Sequence, residues 1–144
     1  MAELNFFSEE VNYRLRKIRK IRNWVLHTIE TEGGEVETIN FIFSSDSYVH
    51  KINVDYLNHD TYTDIITFEY NDSGLPILSD IYISLDRCRE NAKVLNLSLT
   101  NEVHRIIIHG VLHLLGYKDK NKKDKDLMTS KEDYYLSLRA DLGL

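Results

Sequence analysis

Apolar and polar side chains alternate along four stretches of the chain. In the clearest of them every second residue from Ile39 to Phe43 is apolar, which is the pattern of a β-strand with one buried face. Alternation and the intervening turn residues predict strands over Ala2–Phe7, Val36–Phe43, Ile65–Tyr70 and Ile77–Ser84.

Apolar residues at helical spacing predict helices between and after these strands. The expected helices run from about Val11 to Glu30, Ser47 to Leu57, Asp86 to Leu95, Thr100 to Gly116 and Asp126 to Ala140. The order strand-helix-strand-helix-strand-strand, followed by helices, predicts an α/β (α+β) fold. It would contain one mixed, mainly four-stranded sheet with helices packed on its faces.

The length and composition suit one globular domain over residues 1–144. The chain is 42% hydrophobic and 28% charged, and its length is sufficient for one core. No apolar run is long enough to span a membrane, and the N-terminus lacks the pattern of a signal peptide. A single cysteine, Cys88, cannot form an internal disulfide. We therefore expect a cytoplasmic protein.

The net charge of −5 argues against a protein that coats nucleic acid without specificity. Basic residues are nevertheless concentrated near the start of the first predicted helix. Six of the 18 lie within nine positions: Arg14, Arg16, Lys17, Arg19, Lys20 and Arg22. Two interpretations are open, a solvated helix face, which we favour, and a patch that contacts phosphates.

The stretch His109-Gly-Val-Leu-His113-Leu-Leu-Gly116-Tyr-Lys-Asp119 carries the candidate chemistry. Histidines four apart on a helix share one face and can bind one metal ion. Asp119 is the candidate third ligand, but on a continuing helix it would lie roughly 15 Å along the axis from His109. The helix must therefore end between them, and Gly116 is suited to end it.

The alternative is a pair of core histidines without a metal. The apolar residues around them favour the metal, because buried imidazoles need polar partners. The spacing also matches a zinc-protease motif, His-Glu-x-x-His-x-x-Gly-x-x-His. Here Gly110 replaces the glutamate that acts as general base, and Asp119 replaces the last histidine. The first replacement argues against a protease of that type.

Two further carboxylates have open roles. Asp80 faces away from Ile81 and Ile83 on its predicted strand, and is either a structural hydrogen-bond acceptor or part of a site. Glu102 lies seven residues before His109, on about the same helix face. It could orient a ligand histidine or simply stabilise the helix N-terminus through the helix dipole.

The segment His109-Gly-x-Leu-His113-Leu-Leu-Gly116-Tyr117 resembles the motif of the YbeY family, the metal-dependent endoribonucleases of bacterial rRNA maturation. The similarity continues in the same order elsewhere in the chain. The other matching positions and segments are Asn53, Tyr56, Thr63–Phe68, Asp80–Ser84, Glu102 and Met128–Glu132.

This resemblance implies a small α/β fold and one zinc ion per chain, with ligands that fall on His109, His113 and Asp119. It also implies cleavage of single-stranded RNA in 16S rRNA 3′-end maturation and ribosome quality control. The expected partners are single-stranded RNA or rRNA and the ribosome or its small subunit. Because Asp119 replaces a histidine and carboxylates suit harder ions, other divalent metals could compete with zinc.

A second departure from the family affects catalysis. Leu57 stands where the family has an arginine that is thought important for RNA cleavage, so the catalytic residues stay unassigned. The candidates for a phosphate-binding group, by proximity in sequence only, are Arg105, Lys118 and Lys120. The nucleophile is either a metal-bound water, whose pKa the ion lowers, or the 2′-hydroxyl of the RNA.

Three functions follow from these observations. The first is the ribonuclease. The second is a metallohydrolase of another substrate such as a peptide, against which Gly110 and the lysines around Asp119 argue. The third is a ribosome assembly factor with a structural metal and little catalysis, which Leu57 favours.

Overall fold

Four strands form one mixed sheet in a computed structural model that describes residues 2–144. The strands are β1 (Glu3–Glu9), β2 (Val36–Ser44), β3 (Ile65–Glu69) and β4 (Ile77–Ser84), in the spatial order β1-β2-β4-β3. β1, β2 and β4 are parallel, whereas β3 pairs antiparallel with β4 at the edge. The predicted mixed four-stranded sheet is confirmed.

Five α-helices connect and follow these strands. They are α1 (Ile18–Thr31), α2 (Asp46–Leu57), α3 (Leu85–Leu95), α4 (Leu99–Leu114) and α5 (Lys122–Ser137), with a short 3-10 helix at Ala140–Leu142. In this part of the chain, residues 2–144, no helix is long and apolar enough to cross a membrane.

Two predicted helix starts are wrong, those of α1 and α5. α1 begins at Ile18 instead of Val11, because Lys17 takes a left-handed backbone conformation with φ of 56°. α4 begins at Leu99, one residue before the predicted start, and its N-cap is Ser98, whose hydroxyl accepts a hydrogen bond from the Asn101 amide at 3.1 Å. α5 begins four residues earlier than expected, because Asn121 caps it within a lysine-rich stretch that has no apolar periodicity.

The core lies on one face of the sheet. The alternating residues Ile39, Phe41 and Phe43 of β2 are at most 1% exposed, and they belong to one apolar cluster with residues of α1 and α4. α4 is buried on most of its surface. The helix that carries the two histidines therefore packs closely against the sheet.

Asp80 lies on the other face and acts as a structural acceptor. Its Oδ1 accepts from Asn40 Nδ2 at 3.0 Å, and its Oδ2 accepts from Tyr70 Oη at 2.8 Å. Asn40 in turn accepts from Asn5 Nδ2 at 3.0 Å. The carboxylate thus links β1, β2, β4 and the end of β3, which supports the structural interpretation of this residue.

The basic cluster near α1 is exposed at all six positions. Lys17 and Lys20 donate to the Gly143 carbonyl at 3.4 and 3.3 Å, and Arg22 Nε donates to the Leu4 carbonyl at 2.8 Å. Half of the cluster therefore binds the protein's own backbone, which favours the solvated-surface interpretation.

One buried histidine in the N-terminal half of α4 is neutral over most of the pH range. His104 is 6% exposed and packs against Trp24 with ring centroids 5.6 Å apart. Its Nδ1 accepts from Arg139 Nη1 at 2.9 Å. Burial, then the positive charges of Arg139 and Lys17, lower the pKa of His104 to about 4.

The His104 site should make stability depend on pH. Below the unfolded pKa of 6.5 the unfolded chain binds a proton that the folded chain excludes until about pH 4, so stability falls across this window by about 3 kcal/mol. Above pH 6.5 this group contributes no pH dependence. Urea unfolding of His104→Gln should show a smaller loss between pH 7 and pH 4 than the parent. The exposed His27→Gln is the control, and equal losses in parent and His104→Gln would contradict this assignment.

Candidate metal centre

The end of α4 brings the chain back toward its own histidines. Gly116 has φ of 104°, a conformation that strains other residues. Its amide donates to the His113 carbonyl at 3.0 Å, and the Tyr117 amide donates to the Leu112 carbonyl at 3.0 Å. This pair of bonds is the Schellman arrangement that ends helices at glycine. The prediction that Gly116 stops the helix is confirmed.

Gly110 sets how closely α4 approaches the sheet. A Cβ at this position would lie 2.8 Å from Ile65 Cδ1 and 3.3 Å from Ile81 Cδ1. Position 110 therefore faces β3 and β4, with no room for a larger side chain unless these residues move. The absence of a glutamate here is thus a packing feature of the fold as well as an argument against protease chemistry.

The three residues singled out in the sequence lie together. His109 Nε2 and His113 Nε2 are each 3.3 Å from Asp119 Oδ2, and one ligand atom from each residue lies within 4.8 Å of the other two. In a tetrahedral site with bonds of about 2.0–2.1 Å, neighbouring ligand atoms are about 3.3–3.4 Å apart. The side chains are 19%, 28% and 39% exposed, so the group is open to solvent on one side.

Glu132 on α5 is the hydrogen-bond partner of His109. Its Oε2 lies 2.7 Å from His109 Nδ1, and its side chain is 8% exposed. Glu102, the partner suggested by helical spacing, lies in the first turn of α4 and makes no hydrogen bond to His109. Its buried Oε1 has no hydrogen-bond partner among residues 2–144.

A signal for Glu132 was present in the sequence. It follows Met128 by four residues and precedes Tyr135 by three, so it belongs to the face of α5 that is buried. A carboxylate on an otherwise apolar helix face needs a buried partner. Because Glu132 lies 23 positions after His109 on a different helix, the sequence alone does not identify His109 as that partner.

The charges around His109 favour a cation between the ligand atoms. Burial alone lowers its pKa, but the hydrogen bond and charge of Glu132, then Asp119 and Asp64, outweigh burial and raise it. If a neutral His109 donates its Nδ1 proton to Glu132, its Nε2 lone pair faces the Asp119 oxygen. Two acceptors at this distance repel each other, and a proton or a metal ion between them would relieve that repulsion. Two imidazoles and one carboxylate are a donor set that zinc accepts.

The Glu32 carboxylate holds the loop that follows α4 through hydrogen bonds. The hydroxyl of Tyr117 donates to Glu32 Oε1 at 2.5 Å, and the hydroxyl of Tyr135 donates to Glu32 Oε2. Lys131 Nζ lies 3.4 Å from the same Oε2. Glu32 thus joins the end of α1, α5 and the loop that presents Asp119.

The structure removes one of the three phosphate-binding candidates. Arg105 Nη1 donates to Glu132 at 2.8 Å and Nη2 to Asp133 at 2.7 Å, so both arms of its guanidinium bind carboxylates. Lys118 and Lys120 are exposed on the loop between α4 and α5. Leu57 is 40% exposed at the end of α2.

A cleft of about 820 Å³ opens beside His113. It lies between the turn that joins β3 to β4 and the loop after α4. Its charged lining consists mainly of carboxylates, with one lysine: Glu32, Glu35, Glu69, Asp72 and Lys118. An anionic chain gains little from entering this cleft.

Comparison with known proteins gives the family. The sequence model described as "Endoribonuclease YbeY" matches residues 3–139. The chain belongs to this family. It is 46% identical over 137 residues to the endoribonuclease YbeY of Christiangramia forsetii, covering 95% of this chain and 94% of the relative. The corresponding protein of Porphyromonas gingivalis is 41% identical over 144 residues, covering 99% and 95% of the two chains.

A solved structure supports the fold. The solution structure of TM1509 from Thermotoga maritima matches with a TM-score of 0.66, covering 94% of this chain and 88% of that one. At 23% sequence identity this likeness concerns the fold alone. The family resemblance seen in the motif around His109 and Gly116 is confirmed by the sequence comparisons.

Proposed function

We propose that the protein is a zinc-dependent, single-strand-specific endoribonuclease, and that it acts in the cytoplasm in 16S rRNA 3′-end maturation and ribosome quality control. One zinc ion per chain would bind His109, His113 and Asp119. The observation that carries the proposal is the close approach of these three ligand atoms in a chain of the endoribonuclease YbeY family.

Three protein ligands leave one coordination position open for water or substrate. Bound zinc would supply Lewis acidity toward a phosphoryl oxygen and would lower the pKa of a bound water. The chain's own contribution is to hold His109 through Glu132 and to return Asp119 toward both histidines. Because Asp119 carries a negative charge, this site suits manganese or magnesium better than a three-histidine site does.

Exposed lysines beside Asp119 support an anionic substrate. Lys118, Lys120, Lys122, Lys123 and Lys125 are all exposed. In the described part of the chain only one of the five, Lys122, pairs with a carboxylate, Asp126 at 3.2 Å. The neighbouring cleft is acidic. We therefore propose that the phosphate backbone reaches the site across the lysine-bearing loop instead of through the cleft.

The structure and sequence bear differently on the two other functions, a peptide hydrolase and a ribosome assembly factor. A peptide hydrolase of the zinc-protease type needs a base one residue after the first histidine, and the Gly110 position is packed against Ile65 instead. An assembly factor with a structural metal is favoured by Leu57, which leaves the end of α2 without a cationic side chain at that position.

Metal content and RNA cleavage should depend on the same residues. Purified protein should contain about one zinc ion per chain by elemental analysis and should cleave a single-stranded RNA faster than its duplex. His113→Ala and Asp119→Ala should lose zinc and cleavage, whereas the exposed His27→Ala should keep both. Zinc retained in both His109→Ala and His113→Ala would exclude this site. Zinc without cleavage of any RNA would favour the assembly factor, and peptide cleavage lost in His113→Ala would favour the peptidase.

The loop lysines should set the salt dependence of RNA binding. In a titration of single-stranded RNA against salt, the double variant Lys118→Gln/Lys120→Gln should reduce the slope of log K against log salt by about 1.4, which is about 0.7 for each phosphate that is no longer neutralised. The matched control is Arg14→Gln/Arg16→Gln, which removes the same charge from the cluster near α1 and should leave the slope unchanged. The reverse result would assign RNA binding to that cluster.

A further inference from the structure

The partner of His109 is itself held by a second side chain. The two oxygens of Glu132 are divided between two partners: Oε2 lies 2.7 Å from His109 Nδ1, and Oε1 accepts from Arg105 Nη1 at 2.8 Å. The other arm of Arg105 donates to Asp133 Oδ1 at 2.7 Å. Arg105 and His109 are one turn apart on α4, and both carboxylates lie on α5.

We propose that Glu132, held by Arg105, is the positioning residue of the metal centre, in that it fixes the tautomer and orientation of His109. The inference rests on the proposed zinc site. A neutral imidazole has one N–H, and a carboxylate can only accept. With Nδ1–H bonded to Glu132, the lone pair at Nε2 is directed toward Asp119 Oδ2, 3.3 Å away.

Burial makes this arrangement effective. The Glu132 side chain is 8% exposed, so water competes little for either of its oxygens. A buried carboxylate without a partner is costly. Arg105 supplies the compensating charge and a directional hydrogen bond, and its own side chain is 30% exposed. The guanidinium therefore holds the Glu132 carboxylate in place through a contact of 2.8 Å that does not involve the histidine.

Asp133 provides an internal comparison. It binds the same arginine and carries the same charge, but its side chain is 60% exposed and it does not contact the histidines. If only negative charge on α5 mattered, both carboxylates would contribute to metal affinity. If the contact with Nδ1 matters, only Glu132 will contribute.

The decisive experiment compares zinc dissociation constants of Glu132→Gln and Asp133→Asn, measured by competition with a chromophoric chelator. Glutamine offers one acceptor and one donor, so it cannot accept from both Arg105 and His109. Glu132→Gln should bind zinc about 10–100-fold more weakly than the parent. Asp133→Asn should stay within about threefold, because it changes only an exposed pair.

A spectroscopic measurement separates positioning from general stability. Long-range ¹H–¹⁵N spectra of the zinc-free protein, at alkaline pH where the imidazoles are neutral, should show His109 as the Nδ1–H tautomer in the parent and in Asp133→Asn. In Glu132→Gln the population of the Nε2–H tautomer should rise. Should Glu132→Gln fail to fold, the variant to test is Arg105→Lys. A lysine cannot bind Glu132 and Asp133 in the forked geometry of a guanidinium, so Arg105→Lys should weaken zinc binding severalfold.

The outcomes are separable from those of the proposed function. If Glu132→Gln binds zinc as tightly as the parent while His113→Ala loses it, the positioning role is wrong and the zinc site stands. Equal weakening by Glu132→Gln and Asp133→Asn would also overturn the inference. If the parent protein binds no zinc, the proposed function itself fails.

Discussion

The termination of α4 at Gly116 is the constraint on which the candidate site depends. Two histidines on one helix face give only two ligands, and a longer helix would carry Asp119 away from them. The positive φ of Gly116 and its Schellman bonds reverse the chain within three residues. The Glu32 carboxylate then fixes the loop through Tyr117. Backbone geometry and the partly buried hydrogen bonds of Glu32 thus place the third side chain.

The site also depends on how α4 packs against the rest of the fold. Gly110 allows the helix to approach β3 and β4 closely, which fixes the depth at which His109 and His113 lie. On the other side, α5 brings Glu132 within hydrogen-bonding distance of His109. A shift of one turn between α4 and α5 would separate these two side chains. The packing of α4 against the sheet and against α5 therefore also determines the orientation of the candidate ligands.

The sequence predicted the elements with strong periodicity and missed those set by single polar contacts. The strands, the mixed sheet and the end of α4 followed from alternation and from Gly116. The start of α1 did not, because the left-handed conformation of Lys17 has no signature in residue type. The grouping of His109, His113 and Asp119 could be predicted because it is local. The roles of Glu132 and Arg105 depend on how two helices dock, which spacing along one chain does not reveal.

Asp119 stands where the family resemblance implies a histidine, so it would add a negative charge to the site, and Arg105 would counteract part of it. With zinc bound as proposed, Asp119 cancels one of its two charges and the nearby Glu132 cancels the other. The guanidinium of Arg105, bonded to Glu132 at 2.8 Å, restores one positive charge close to the centre. Asp133, 2.7 Å from the other arm of the guanidinium, offsets part of that charge, although its side chain is largely exposed. On the proposed function, a substrate phosphate would therefore be attracted mainly by the exposed loop lysines, since Leu57 offers no charge.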